Sequence, residues 1–174
     1  MPSAVNSTFD IVLWFNDTAL DQNEYLQPQK LHRLLFLSQA YFAVAYGGRK
    51  LMPAIFVADE MGPLEPNIYK AYAKAVPNIE PELFLPDDVE SFISSIWRRF
   101  GNQSADRLTR LCKDTVAYKQ ALRRGNRAEI SHDAMQLSFI RADQGPSLDQ
   151  IIKPKVMRSQ SGRPVAVKAW VPGG

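Results

Sequence analysis

Apolar residues at helical spacing predict one long helix that begins near Pro28 and that other helices surround. Within it Leu31, Leu34 and Leu35 recur at i, i+3 and i+4 intervals, and further apolar side chains occupy its other faces. A helix that is apolar nearly all round is typical of a central helix with neighbours packed about it. The pair of glycines at 47 and 48 predicts where this helix ends.

Shorter segments with an apolar face and a capping residue predict the other helices, which cover about residues 8–20, 66–76, 87–100, 104–112, 116–124 and 131–142. Asp87 and Glu90 form an Asp-x-x-Glu start analogous to a capping box. Between residues 51 and 60, a β-prone run precedes a turn at Gly62 and Pro63 and predicts a small β-hairpin or an extended arm. We therefore expect a mainly α fold, a compact single-domain bundle of six or seven helices around the central apolar helix.

Composition agrees with one globular domain. The chain has 174 residues, of which 45% are hydrophobic and 22% charged, and this balance excludes a chain that is disordered throughout. The most apolar stretch, residues 31–46, is shorter than the roughly 20 residues of a membrane helix. The first residues lack the basic and apolar regions of a signal peptide, and a single cysteine cannot form an internal disulfide. We expect a cytoplasmic protein.

The positive charge of the chain is concentrated near its C-terminus. The formal net charge is +3, but residues 153–174 hold five basic and no acidic residues, so residues 1–152 have a net charge of −2. The composition changes beyond Gly145 and Pro146. We therefore predict a helical domain over residues 1–150 and a basic, flexible tail over residues 151–174.

The residues that most often carry catalysis lack suitable neighbours in the sequence. Cys112 lies on a predicted helix, where a free cysteine usually behaves as a small buried hydrophobe. His32 and His132 have no partner at a spacing that indicates acid–base or metal chemistry. The pair Gly47 and Gly48 lacks the Lys-Ser/Thr of a phosphate-binding loop. We predict a protein that is not an enzyme and that needs no metal or cofactor.

Two segments together resemble the Panacea domain of bacterial toxin–antitoxin systems. That family pairs a helix of the type Lys-Leu-x-Lys-Leu-Leu-Tyr-x-x-Gln with a later Gly-Pro-Val-x-Pro-x-Val-Tyr, and the agreement extends loosely to about residue 140. Cys112 and Lys113 stand where many members have Thr-His, so a role tied to that histidine does not carry over. The matching positions, here called the signature residues, are Lys30, Leu31, Leu34, Leu35, Gln39, Gly62, Pro63, Pro66 and Tyr69.

The resemblance implies a SocA-like antitoxin that neutralises a SocB-like protein toxin, as a proteolytic adaptor delivering the toxin to ClpXP. Independently of the family, Gly62, Pro63 and Pro66 predict a rigid corner that serves either folding or partner contact. The tail contains a segment that resembles the tether by which bacterial adaptors bind the ClpX unfoldase. A disordered, solubilising end is the alternative for the tail, and a nucleic-acid-binding regulator is the alternative for the protein. The candidate tether residues are Arg163, Pro164, Val165, Ala166, Val167 and Lys168.

Overall fold

A computed structural model describes residues 2–74 and 85–140, together with the backbone of two short strands at 156–158 and 164–166. The described residues form seven helices and a small three-stranded sheet, which confirms the mainly α single-domain fold. None of the described helices combines the length and the apolar character that crossing a membrane requires. The elements in chain order are α1 (Thr8–Asp21), α2 (Pro28–Ala45), β1 (Phe56–Asp59), β2 (Gly62–Leu64), α3 (Pro66–Lys74), α4 (Asp87–Phe100), α5 (Ala105–Lys113), α6 (Val116–Arg124), β3 (Ala128–Ile130), α7 (His132–Ile140), β4 (Val156–Arg158) and β5 (Pro164–Ala166).

Helix α2 is the centre of the bundle, as its pattern predicts. It contacts α1, α4, α5, α7 and strand β2. Leu31, Leu34, Leu35 and Phe42 have no exposed surface, since these neighbours surround the helix. The helix ends where expected, since Gly47 has a φ of +62° and Gly48 a φ of +91°, a backbone region that favours glycine.

Side-chain caps fix the starts of several helices. Ser7 accepts a hydrogen bond from a first-turn amide of α1, and Ser104 and Thr115 do the same for α5 and α6. The capping-box interpretation of Asp87 is wrong, because α4 begins at Asp87 itself and Pro86 occupies the N-cap position. Acidic residues in this first turn instead interact favourably with the helix dipole.

The sheet has the strand order β2-β1-β3, with both pairs antiparallel. Strands β1 and β2 form the predicted hairpin, in register Val57 with Leu64 and Asp59 with Gly62. The turn was expected at Gly62 and Pro63, but both residues belong to β2, and the chain reverses at residues 60–61 instead. Strand β3, which the sequence does not predict, pairs Ile130 with Phe56 and closes the second edge of β1.

Two strands also lie in the segment predicted as a flexible tail. β4 pairs antiparallel with β5, placing Met157 opposite Val165. Of the candidate tether residues, 164–166 form β5, whereas Arg163, Val167 and Lys168 lie outside the described residues.

Candidate functional site

A groove of about 540 Å³ lies between the start of α2, the β1–β2 hairpin and α3. We call it the hairpin groove. It contains the signature residues Gly62 and Tyr69, together with Arg33, which stands where the family pattern has Lys, and with the ionisable side chains of His32, Asp59 and Arg127, which the pattern does not specify. Its lining residues are Pro28, Gln29, His32, Arg33, Asp59, Met61, Gly62, Leu64, Tyr69, Tyr72, Ala73 and Arg127.

Arg33 fastens the hairpin to the central helix. Its guanidinium is almost fully buried and donates from Nη1 to the carbonyl oxygen of Pro63 and from Nη2 to that of Met61, both at 2.6 Å. Its Nε donates to Thr109 Oγ1 at 3.0 Å, which adds a connection to α5. Burial lowers the pKa of Arg33, but an arginine starts from so high a value that it stays charged. One buried cation therefore joins three elements.

Gly62 is required because Arg33 lies against its backbone. A Cβ at this position would come within 2.6 Å of Cζ and Nη2 of Arg33, where real Cβ atoms are not found. The φ of Gly62 is +128°, which side-chain-bearing residues rarely adopt. The signature glycine thus allows the guanidinium to reach the carbonyl oxygens on both sides of it.

The backbone of the hairpin turn is held by side chains from several elements. Met61 N donates to Asp59 Oδ2 within the turn itself. With its backbone fixed in this way, Met61 is 68% exposed and lines the groove. The contacts from other elements are Tyr118 Oη to the Asp59 carbonyl at 2.5 Å, Lys113 Nζ to the Glu60 carbonyl at 3.0 Å, and Glu60 N to Asn126 Oδ1 at 3.1 Å.

Asp59, Arg127 and Tyr69 form the opposite rim of the groove. Arg127 Nε donates to Asp59 Oδ1 at 3.0 Å, and the Arg127 guanidinium lies 5.2 Å from the centroid of the Tyr69 ring. Burial alone would raise the pKa of Asp59, but the hydrogen bonds from Met61 N and Arg127 hold that pKa below its ordinary value. Asp59 is therefore ionised at neutral pH and orients Arg127.

His32 and Glu65 fix the start of α3 against α2. The amide of Glu65 donates to His32 Nδ1 at 3.1 Å, and the Glu65 carboxyl accepts from Ile68 N at 2.7 Å as a cap for α3. Burial, assisted by the charge of Arg33, lowers the pKa of His32 to about 4, so the ring is neutral at physiological pH. Burial likewise raises the pKa of Glu65. Neither role is visible in the sequence, where Glu65 directly precedes Pro66 and gives no other signal.

The remaining polar signature residues, Gln39 and Lys30, form hydrogen bonds with backbone groups outside the groove. Gln39 is buried in α2, accepts at Oε1 from the amides of Leu51 and Met52, each at 3.1 Å, and donates from Nε2 to the Met52 carbonyl at 3.0 Å. Lys30 Nζ donates to the carbonyl of Gly101 at the end of α4. The leucines of the signature belong to the core, and Pro66 begins α3. Of the signature residues, Gly62 and Tyr69 line the groove, whereas the others lie outside its lining.

Among the described residues, no hydrogen bond joins the three residues considered for catalysis to one another. Cys112 is buried, and burial raises the pKa of its thiol to about 12, which agrees with the expected core role. His132 Nε2 lies 2.8 Å from the carbonyl oxygen of Gly48, at the far end of α2 from His32. Within residues 2–74 and 85–140, no group of three or more His, Cys, Asp or Glu side chains could hold a metal ion.

Comparison of the chain with models of protein families, with curated proteins and with solved structures found no match. The resemblance to the Panacea domain therefore stays a prediction that depends on the signature residues.

Proposed function

We propose that this protein is a bacterial, cytoplasmic antitoxin that binds its cognate protein toxin through the hairpin groove and catalyses no reaction. The observation that carries this proposal is the hairpin turn, whose backbone is held by side chains while the side chain of Met61 is left exposed. A binding residue on a fixed backbone loses little backbone entropy when a partner docks, so that docking costs mainly the ordering of its side chain. The resemblance to the antitoxin family supplies the class of partner.

The side chains at the groove edge suit a protein partner. Met61 is 68% exposed and Tyr69 46% exposed, both line the groove, and the Arg127 guanidinium lies over the Tyr69 ring. Methionine adapts its shape to a partner surface, and tyrosine and arginine are enriched among the residues that contribute most to protein interfaces. The groove thus combines two exposed apolar side chains with an oriented charge, as interface centres do.

The test uses the product of the toxin gene expected next to the gene of this protein. We expect the two proteins to form a complex on co-expression, and Met61→Ser or Tyr69→Ala to weaken it at least about tenfold in calorimetry. The matched controls are Leu20→Ser in α1 and Ile140→Ala in α7, because these residues are 66% and 47% exposed away from the groove.

Two results would contradict the proposal. One is the absence of a complex, and the other is a groove variant that binds the toxin as tightly as its matched control. Stoichiometric binding to DNA or RNA that weakens steeply with salt, without toxin binding, would favour the nucleic-acid-binding regulator instead.

We propose further that the tail delivers the bound toxin to ClpXP. A weak contact suffices for this step, because a tethered module acts at roughly millimolar effective concentration. Deleting residues 159–174 should leave toxin affinity nearly unchanged and slow toxin degradation in a purified ClpXP assay. Unaltered degradation, or a loss of toxin affinity together with the tail, would refute this division of roles.

A further inference from the structure

The lining of the hairpin groove carries an excess of positive charge. Its charged side chains are Arg33, Arg127 and Asp59, so two cations face one carboxylate. Within residues 2–74 and 85–140, Asp59 forms an ion pair with Arg127, and no carboxylate oxygen lies within ion-pair distance of Arg33. Among the described residues, the buried Arg33 guanidinium donates hydrogen bonds to carbonyl and hydroxyl oxygens, and it interacts with the Asp59 carboxylate through charge alone. Asp59 is therefore shared between the two cations, and the positive charge that remains favours the approach of an anion to the exposed Arg127.

A neutral hydrogen-bond donor lies beside these charges. His32 Nδ1 accepts the amide proton of Glu65, so the neutral ring carries its own proton on Nε2. In the described part of the chain, no hydrogen bond is formed by Nε2. The groove lining therefore contains an unused N–H donor in addition to the excess positive charge, and both features select for an acceptor in the occupant.

Two large apolar side chains of the lining lie at the rim. The side chains of Met61 and Tyr69 are exposed there, and the Arg127 guanidinium, whose side chain is 53% exposed, lies over the Tyr69 ring. An anionic group at Arg127 would therefore have an apolar surface directly next to it.

From this juxtaposition we infer that the hairpin groove binds a peptide segment of the toxin in which a carboxylate side chain is adjacent to a large apolar side chain. This inference rests on the proposed function and specifies its partner. The carboxylate of the peptide interacts with Arg127. Asp59 pairs with Arg127, but one carboxylate cannot neutralise both Arg127 and Arg33, so a net positive charge remains in the groove. The apolar side chain packs against Met61 and Tyr69. The match is one of charge and polarity, and it predicts that changes of charge in the groove alter affinity in a defined direction.

The experiment measures the binding of short peptides to the full-length chain, so it does not require the toxin. The methionine methyl groups are labelled with ¹³C, and the Met61 signal is assigned from the spectrum of Met61→Ala. Three blocked peptides are titrated at low salt: acetyl-Phe-Asp-Leu-amide, the same peptide with Asn, and the same peptide with Lys. We expect the Asp peptide to shift the Met61 signal with at least about fivefold higher affinity than the Asn peptide, and the Lys peptide to bind most weakly.

Charge variants then test whether the groove is the source of this preference. Arg127→Ala should reduce the Asp-over-Asn preference to less than about twofold, whereas Asp59→Asn should increase it. Arg123→Ala is the matched control, since it removes an exposed arginine that does not line the groove. The methyl signals of the buried Met52 and Met135 report whether each variant keeps the native fold.

Equal affinities of the wild-type chain for the three peptides, or a preference for the Lys peptide, would overturn the inference without reference to any variant. A preference for the Asp peptide that Arg127→Ala leaves intact would overturn it as well. The proposed function is tested separately, by whether the chain forms a complex with the toxin. Selective peptide binding without a toxin complex would refute the antitoxin proposal and leave the acidic-peptide site standing, whereas a toxin complex without peptide selectivity would do the reverse.

Discussion

Replacement of Gly62 by alanine should be one of the most destabilising single-methyl changes in this protein. Two costs combine at this position. An alanine at a φ of +128° is strained by about 1–3 kcal/mol. Its Cβ would also come within 2.6 Å of the buried Arg33 guanidinium, which must move away from the carbonyl oxygens of Met61 and Pro63. Hydrogen bonds from a charged group contribute about 1.5–3 kcal/mol. We therefore expect a total loss of about 3–5 kcal/mol.

The chain provides a control that separates these two costs. Gly125 has a φ of +148°, and nothing lies within 4 Å of the position that its Cβ would take. Gly125→Ala should therefore cost only the strain, about 1–3 kcal/mol. The assay is equilibrium unfolding in urea, followed by circular dichroism, with the free energy of unfolding extrapolated to water.

A double-mutant cycle then tests whether Arg33 is responsible for the difference. In an Arg33→Ala background the clash is absent, so Gly62→Ala should cost no more than Gly125→Ala does in the wild type. If Gly62→Ala and Gly125→Ala destabilise the wild-type protein equally, then Arg33 does not fasten the hairpin in the way described.

Three further predictions concern buried polar groups and the core. Gln39→Ala should destabilise the protein by about 3 kcal/mol in the same urea assay, because it leaves the amides of residues 51 and 52 without their acceptor. A cost below about 1 kcal/mol would contradict this prediction and show that water replaces the side chain. The pKa of His32 falls to about 4 in the folded protein, below its unfolded value near 6.5, so its contribution to the free energy of unfolding is fully present above pH 6.5 and is lost as the pH falls towards 4. His32→Gln should flatten this part of the stability–pH profile, and an unchanged slope would exclude His32 as its source. Leu35→Ala should cost about 2–5 kcal/mol through the cavity it leaves, measured by urea unfolding, and a cost below 1 kcal/mol would mean that the core refills it. 

The helices could be predicted from the sequence because their signal is local. Leu31, Leu34 and Leu35 repeat with the period of a helix, and Ser104 and Gly125 stand at a helix start and a helix end, so each boundary can be read within a few residues. Strand β3 gives no such signal, since three residues are too few for an alternating pattern and its partner strand is distant in the sequence.

The hairpin groove could be predicted only in part. Gly62, Pro63 and Pro66 predict a rigid corner, and the structure gives the reason for the glycine in its contact with Arg33. The role of Arg33 itself depends on which carbonyl oxygens lie within its reach once α2 and the hairpin have packed. The pairing of Asp59 with Arg127 joins positions that no sequence motif connects. Such contacts follow from tertiary packing and have no pattern of their own.

The late position of β3 in the sequence has a consequence for synthesis on the ribosome. One edge of β1 can pair with β2 almost as soon as both leave the exit tunnel, but its other edge waits for residues that follow about 70 positions later. At a translation rate of about 5–20 residues per second, that edge stays open for roughly 4–14 seconds. During this interval Phe56 and its neighbours lack the strand that covers them, and an unpaired edge can join with another chain. The nascent protein should therefore depend on chaperones until Ile130 has emerged, and slower translation of the segment between the two strands should lower its soluble yield.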